Sequence, residues 1–369
     1  MARLGLGARW RCLFANDCCE KKASAYRSNF VGSSELLVRD VGEVRPDDLP
    51  GEPLLVWASF PCQDLSLAGN GAGLKGKRSG TFWPFWRLMQ GLARDGRPSP
   101  LIVLENVIGA LTSNGGRDFH AIVRAARAAG YRVGALVINA LHFVPQSRPR
   151  LFILAVDSNV TIPSTLRADA PSALWHPGTL RIAHSGLPAD LRDSWTWWHL
   201  PAPVIPPGTL DNIVEPNPSD VKWHTVEETK RLLSMMSRPN LRKVEQARRL
   251  KRPIIGTVYR RTRRNDAGER VQRAEVRFDQ ISGCLRTPVG GSSRQTILVV
   301  DGDSIRSRLL SSREAARLMG VPDTYILPGN YTEGYHLMGD GLVVPVVSWL
   351  ETHLLYPLVR SKVLASEAA

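Results

Sequence analysis

The chain has 369 residues, 43% of them hydrophobic, with ten tryptophans, 26 prolines and a formal net charge of +14. That length can bury a substantial core and suits more than one domain. The sequence has no run of eighteen apolar residues, and MARLGLGARWRCLF lacks the unbroken apolar stretch of an export signal, so neither a membrane nor export is expected.

The five cysteines, at 12, 18, 19, 62 and 284, are odd in number and form no CxxC pair. This argues against a disulfide framework and against a structural zinc site, so no metal is expected and a reducing cytoplasm fits best. The charge is regional. Between Lys222 and Arg277 stand 17 Lys/Arg and 6 Asp/Glu, a net +11 of the chain's +14. A surface that tracks a phosphate backbone has this distribution; the plainer alternative is a solvated helix face, as in RKVEQARRLKR.

Up to about residue 156, short apolar runs alternate with helical stretches, the pattern of βαβ units and a largely parallel sheet. RCLFAND reads as strand and turn, EKKASAYRSNF as a helix, LLVRD as a short strand, and LLVWASFPCQ as a buried strand running into a loop. GTFWPFWRLMQGLAR is helical with Pro84 near its first turn, LIVLENV is a strand, and FHAIVRAARAAGY is a helix ended by Gly130. ALVINALHF and RLFILAVD complete the strands. Between 157 and about 215 the Pro- and Trp-rich sequence has little periodicity and reads as a connection into a second domain. Farther on, SSREAARLMGV carries a helix-capping signal and ends at Gly320, and VVPVVSWLETHLLYPLV is an apolar element expected to pack on the first domain.

Four polar residues, Asp17, Asp40, Cys62 and Glu105, fall where strands end, the place where open α/β sheets bind ligands. Cysteine is nucleophilic as thiolate, and the loop GNGAGLKGKRSG after Cys62 offers flexible backbone with Lys75, Lys77 and Arg78. A small buried thiol in a turn is the alternative. Glu105 follows four apolar residues, where burial of a carboxylate requires a partner. It could hydrogen-bond a substrate ring or cap the next turn. Gln146, Arg148 and Arg150 alternate in VPQSRPRLFIL, which would put them on one strand face as an anion clamp or as edge charges.

FPCQDLS, LENV, QSRPR and REAARLMGVPDTY, in that order, resemble the ordered motifs of the DNA (cytosine-5) methyltransferases over residues 1 to about 356. The resemblance implies an α/β fold: a Rossmann-like mixed sheet of the S-adenosylmethionine-dependent methyltransferase type with a smaller target-recognition domain. It implies a catalytic and cofactor-binding domain over 1–160, a target-recognition domain over 175–315, and a C-terminal segment, 316–369, that rejoins the catalytic domain. Cys62 becomes the nucleophile that attacks C6 of a flipped-out cytosine, and Glu105 the group that holds or protonates N3. Arg148 and Arg150 would organise the active site, Arg148 nearer the cytosine. Asp17, Cys18, Asp40, Val41, Phe60, Pro61 and Asp340 would line the S-adenosylmethionine site, and Gln63, Ser66, Asn106, Gln146 and Arg294 would face the substrate. The implied partners are double-stranded DNA and a cognate restriction enzyme or phage-defence component, with the chain acting as a monomer.

The sequence departs from the family twice. The family's opening FxGxGG turn is not found, and MARLGLG resembles the helix that follows it, so a chain start placed downstream of the first strand is the expectation. Gly339-Asp340-Gly341-Leu342 stands where the family has GNxV, exchanging an amide for a carboxylate. Two other readings remain beside DNA methylation: a catalytically impaired, sequence-specific DNA-binding protein, and a tRNA cytosine-5 methyltransferase.

Overall fold

The computed structural model describes residues 1–61, 79–204, 208–264, 268–287 and 293–360. The elements of the first half are α1 (Ala2–Leu6), β1 (Ala15–Asp17), α2 (Glu20–Asn29), β2 (Leu36–Val38), β3 (Val56–Ser59), α3 (Phe82–Arg94), β4 (Leu101–Asn106), α4 (Arg117–Ala128), β5 (Tyr131–Asn139) and β6 (Pro149–Asp157). There follow β7 (Arg167–Ala168), α5 (Gly178–Ser185), α6 (Ala189–Arg192) and β8 (Trp197–Trp198). The rest comprises α7 (Val226–Ser234), α8 (Arg238–Arg249), β9 (Ile254–Arg264), β10 (Arg270–Arg277), β11 (Thr296–Asp301), β12 (Ser304–Leu309), α9 (Ser312–Leu318), α10 (Tyr331–Gly339) and α11 (Val344–Leu350).

The chain divides into two compact units. One holds residues 2–139, 149–204 and 346–369; the other holds Met1, 140–148 and 205–345. In the first unit a four-stranded sheet runs in the order β3-β4-β6-β5, and β1 pairs with β2 in a separate parallel pair. The sheet is mixed, as the family resemblance implies, rather than largely parallel as the alternation of elements alone suggests. β3 and β4 are parallel, whereas β4–β6 and β5–β6 are antiparallel. An apolar run shows that a strand is buried but not which way it points, so β5 and β6 were legible as strands while their antiparallel pairing was not.

β4 is buried along its whole length, as its LIVL run requires. α3 buries Phe82, Phe85, Trp86, Leu88, Met89 and Leu92, a helical spacing that turns one face to the core. α4 stops before Gly130, whose φ of +85° closes the helix end in a conformation most side chains resist. The stretch after Asp157 is more than a connection. Trp175 and Trp198 are among the largest fully buried side chains, and Leu180, Ala183, Leu187 and Leu191 of α5, α6 and their link join the sheet's core. Trp198 comes so close to β5 that a Cβ at Gly134 would lie 2.5 Å from its indole nitrogen. Aromatic volume orders this segment, and aromatic volume leaves no period to read. In the same unit Glu351 accepts hydrogen bonds from Arg9 (2.9 Å) and the Trp10 indole (3.0 Å).

The second unit contains an antiparallel sheet in the order β10-β9-β11-β12. Val258, Ala274, Val276, Leu298 and Val300 pack it against α7 and α8 through Leu232, Met236, Val244 and Ala247. α9 begins with the expected capping box: Ser311 accepts from the Glu314 N–H, and Glu314 accepts from the Ser311 N–H. Glu314 also makes a bidentate pair with Arg308, at 2.6 and 2.8 Å, with both side chains fully buried.

Among the described residues one helical run, Tyr331–Arg360, is long and apolar enough to cross a membrane by length and composition. Of its most apolar window, 56% is buried inside the protein, the use made of a core helix.

Removing one partner of a buried ion pair leaves an uncompensated charge, so Arg308→Met should destabilise the protein by about 3–5 kcal/mol, read from urea unfolding. A second expectation concerns acid. Burial pushes the fully enclosed His176 down to about 4 from 6.5, and its Nδ1 accepts the Ser172 N–H at 2.9 Å. The unfolded chain therefore takes up a proton first. This contribution is intact above pH 6.5 and is lost as pH falls towards 4, at up to about 1.4 kcal/mol per pH unit. Unfolding midpoints measured from pH 7 to 4 should fall less steeply in His176→Gln than in the parent.

Candidate active site

In the first unit Asp17, Asp40 and Glu105 each lie at the end of a strand. β1 ends at Asp17, β2 two residues before Asp40, β3 one residue before Phe60, and β4 carries Glu105 and Asn106 as its last two residues. β1 and β2 run parallel, as do β3 and β4 with Ser59 opposite Glu105, so within each pair the carboxyl ends lie side by side.

Glu105 is buried and its Oε1 lies 3.2 Å from Arg150 Nε. The register explains the pair. Glu105 sits opposite Phe152 of β6, which makes Arg150 its diagonal neighbour on the same face. Asn106, also buried, donates from Nδ2 to the Phe60 carbonyl (3.1 Å) and accepts the Val107 N–H at Oδ1 (2.9 Å). Its amide ties the end of β4 to the end of β3, next to the chain that enters Cys62. Cys62, Gln63 and Ser66 themselves lie outside the described residues.

The carboxylates at the other two strand ends each hold a turn. Asp17 accepts the Cys19 N–H at 2.8 Å and Asp40 the Gly42 N–H at 2.7 Å, both through Oδ1. Asp40 is exposed and Asp17 half-buried, with Cys18 and Pro61 exposed, Val41 half-buried and Phe60 buried. The carboxylate acceptors of Asp17 and Asp40 and the apolar ring of Phe60 are groups that suit a ligand offering hydroxyl and amine donors together with a flat base. The ribose and adenine of S-adenosylmethionine offer those groups, so the residues fit it.

Gln146, Arg148 and Arg150 do not share one strand face. Only Arg150 belongs to β6; the other two lie in the second unit's segment 140–148. There Gln146 is fully buried, donating to Leu318 O (2.8 Å) and accepting from Leu285 N (3.0 Å). Arg148 donates to the carbonyls of Leu285 (2.7 Å), Gly339 (3.0 Å) and Gly341 (2.8 Å), and to Cys284 Sγ at 3.4 Å. Its guanidinium is thus engaged by backbone, and Arg150 is the arginine that meets Glu105. Arg294 donates to Thr332 Oγ1 at 3.0 Å and lies 5.1 Å over the Tyr331 ring. Asp340, exposed at the end of α10, accepts from the Thr287 hydroxyl.

A family model described as C-5 cytosine-specific DNA methylase matches residues 2–355. The chain belongs to that family. S-adenosylmethionine-dependent methylation of cytosine is accordingly its chemistry, and DNA the family's partner. Type II methyltransferase M1.ScrFI of Lactococcus lactis subsp. cremoris is 22% identical over 95% of this chain and 73% of its own length. Type II methyltransferase M.HhaI of Haemophilus parahaemolyticus is 21% identical over 92% of this chain and 86% of its own. Among solved structures, S. pombe Dnmt2 superposes with a TM-score of 0.54 at 17% identity, covering 94% of this chain and 91% of that one. An Entamoeba histolytica methyltransferase, EhMeth, gives 0.58 at 12% identity, covering 91% and 87%. At these identities the superpositions establish the shared methyltransferase fold.

Among the described residues no group of three or more His, Cys, Asp or Glu side chains could hold a metal ion, and Cys12, Cys18, Cys19 and Cys284 form no disulfide.

Lysine would bring one nitrogen where Arg148 uses two, Nη1 towards Leu285 and Nη2 towards Gly339 and Gly341. Arg148→Lys should therefore orphan buried acceptors and destabilise the protein by about 2–4 kcal/mol in urea unfolding.

Proposed function

We propose that the chain methylates C5 of cytosine within a specific double-stranded DNA sequence, through a covalent bond between Cys62 and C6 of a flipped-out base. The observation that carries the reading is the end of β4. There Glu105 is fixed by Arg150 at 3.2 Å, and Asn106 fixes Phe60, two residues before Cys62. S-adenosylmethionine, when bound, supplies an electrophilic methyl group. This chain's residues prepare the acceptor.

Cytosine C5 is a weak nucleophile, and addition of the Cys62 thiolate at C6 places electron density on C5. Glu105, held through one carboxylate oxygen, meets N3 and the exocyclic amine and stabilises the charge that develops on the ring. After C5 gains the methyl group, its proton leaves to a base, and the electrons of that C–H bond reform the C5–C6 double bond as the thiolate departs. A base inside a duplex cannot offer C6 to a thiol, so the target must leave the stack. Arg150, with Arg148, acts as a positioning residue. Asp17, Asp40, Val41, Cys18, Phe60 and Pro61 are assigned to the cofactor, with Asp340 beside them. Gln63, Ser66, Asn106, Gln146 and Arg294 are assigned to substrate or to the shaping of its site.

Target reading is assigned to the unit that holds the basic stretch. We assign a sequence-specific enzyme working beside a cognate restriction enzyme or phage-defence component; relatives named Type II methyltransferases support the methyltransferase part of that reading. Cysteines outside any disulfide support a reducing cytoplasm, and a monomer suffices when one chain holds both chemistry and reading.

Transfer of labelled methyl from S-adenosylmethionine to mixed-sequence duplex DNA should be abolished in Cys62→Ser and reduced at least ~100-fold in Glu105→Gln, with DNA binding kept in both. Transfer to tRNA with none to duplex DNA would overturn the substrate assignment, and full activity of Cys62→Ser the covalent one.

A further inference from the structure

The pairing of β11 with β9 stops at Val258, while β9 and β10 stay paired to Arg264 and Arg270. Residues 259–264 and 270–275 therefore form a two-stranded ribbon beyond the four-stranded sheet. At roughly 3.3 Å per residue it is about 20 Å long. Its register sets like charges against each other: Arg264 opposite Arg270 and Arg261 opposite Arg273. Directly opposed like charges cost stability in a sheet, and a bound polyanion removes that cost.

The two faces of the ribbon differ. On one, Glu275 takes Arg263 at 2.7 Å and Arg261 at 3.5 Å, and Arg261 lies 5.6 Å over the Tyr259 ring. On that face Glu275 offsets one of three arginine charges, those of Arg261, Arg263 and Arg273. The other carries Arg260, Thr262 and Arg264 from β9 with Arg270 and Gln272 from β10, and none of its strand positions is acidic. Among the described residues none of its three arginines forms an ion pair, and Arg264 donates only to the Gly268 carbonyl, at 3.0 Å. Between them Gln272 Nε2 donates to Thr262 Oγ1 at 2.9 Å, which orients the exposed amide and leaves its oxygen and second N–H for an outside partner.

We propose that this ribbon enters the major groove of the substrate duplex with the Arg260, Thr262, Arg264, Arg270 and Gln272 face towards the DNA. The three arginines hold phosphates, and Gln272 reads a base edge. The inference rests on the assignment of duplex DNA as substrate. The major groove, about 12 Å wide, admits a two-stranded ribbon, and a carboxamide presents the donor and acceptor that match adenine's groove edge. Phosphate contacts and base contacts make separable contributions, since the first set affinity and salt dependence and the second set sequence preference.

The test uses the full chain and a pool of random-sequence duplexes, without cofactor, at several salt concentrations. Arg260→Gln/Arg264→Gln/Arg270→Gln should lower the slope of log affinity against log salt by about 2.7, close to three phosphates, while Arg261→Gln/Arg273→Gln lowers it by less than about one. Sequencing of the bound duplexes should show that Gln272→Ala relaxes the preference at one base position at least ~10-fold. Unchanged thermal unfolding confirms that these exposed substitutions leave the fold intact. An unchanged slope in the triple variant, or a larger loss from the opposite face, overturns the ribbon's docking; unchanged preference in Gln272→Ala overturns its role as reader. Because both readouts are binding measurements, a failure of methyl transfer would sink the catalytic reading and leave this one to be decided on its own.

Discussion

A carboxylate at the buried end of β4 must be compensated, and the form of that compensation shapes the first unit. Glu105 follows Leu101–Leu104, where a lone charge would cost several kcal/mol. Its partner, Arg150, can reach it only because β6 lies antiparallel beside β4 in one register. A one-residue slip would turn either side chain to the opposite face of the sheet. The mixed sheet and the placement of the acid are thus one constraint. Asn106, the next residue, extends it by holding the Phe60 carbonyl, so β4 also fixes the end of β3.

QSRPR serves both units through residues only two apart. Arg148 gathers the carbonyls of Leu285, Gly339 and Gly341 in the second unit, while Arg150 holds Glu105 in the first. Arg148's role needs a planar guanidinium with several fixed donors, which gives a reason for arginine there without any direct contact with the base.

Much of this was legible because period and capping are local. The helices at 20–29, 82–94 and 117–128, the strands at 101–106 and 149–157, and the capped helix at 312–318 follow from spacing and from Ser311, Gly130 and Gly320. What stayed hidden depends on register and tertiary contact. Direction was unreadable in β5 and β6. The segment holding Trp175 and Trp198 read as a connection because its order comes from aromatic volume, and Gln146 and Arg148 were expected on a strand that begins only at Pro149. The diagonal Glu105–Arg150 pair could be found only once β4 and β6 were known to be neighbours. The position of Asp17, Asp40 and Glu105 at strand ends was readable, since strand ends can be counted along the sequence.

The strand end at Glu105 and Asn106 is proposed to serve a covalent step at Cys62. The most direct measurement is to incubate the full chain and S-adenosylmethionine with duplex DNA in which 5-fluorocytosine replaces cytosine, and to map any denaturant-stable adduct by mass spectrometry. Fluorine at C5 cannot leave as a proton does, so the enzyme–base bond should persist after methyl transfer. An adduct at Cys62 is expected, absent in Cys62→Ser. An adduct at another residue, or turnover of ordinary DNA with no adduct on the fluorinated duplex, would contradict the covalent step.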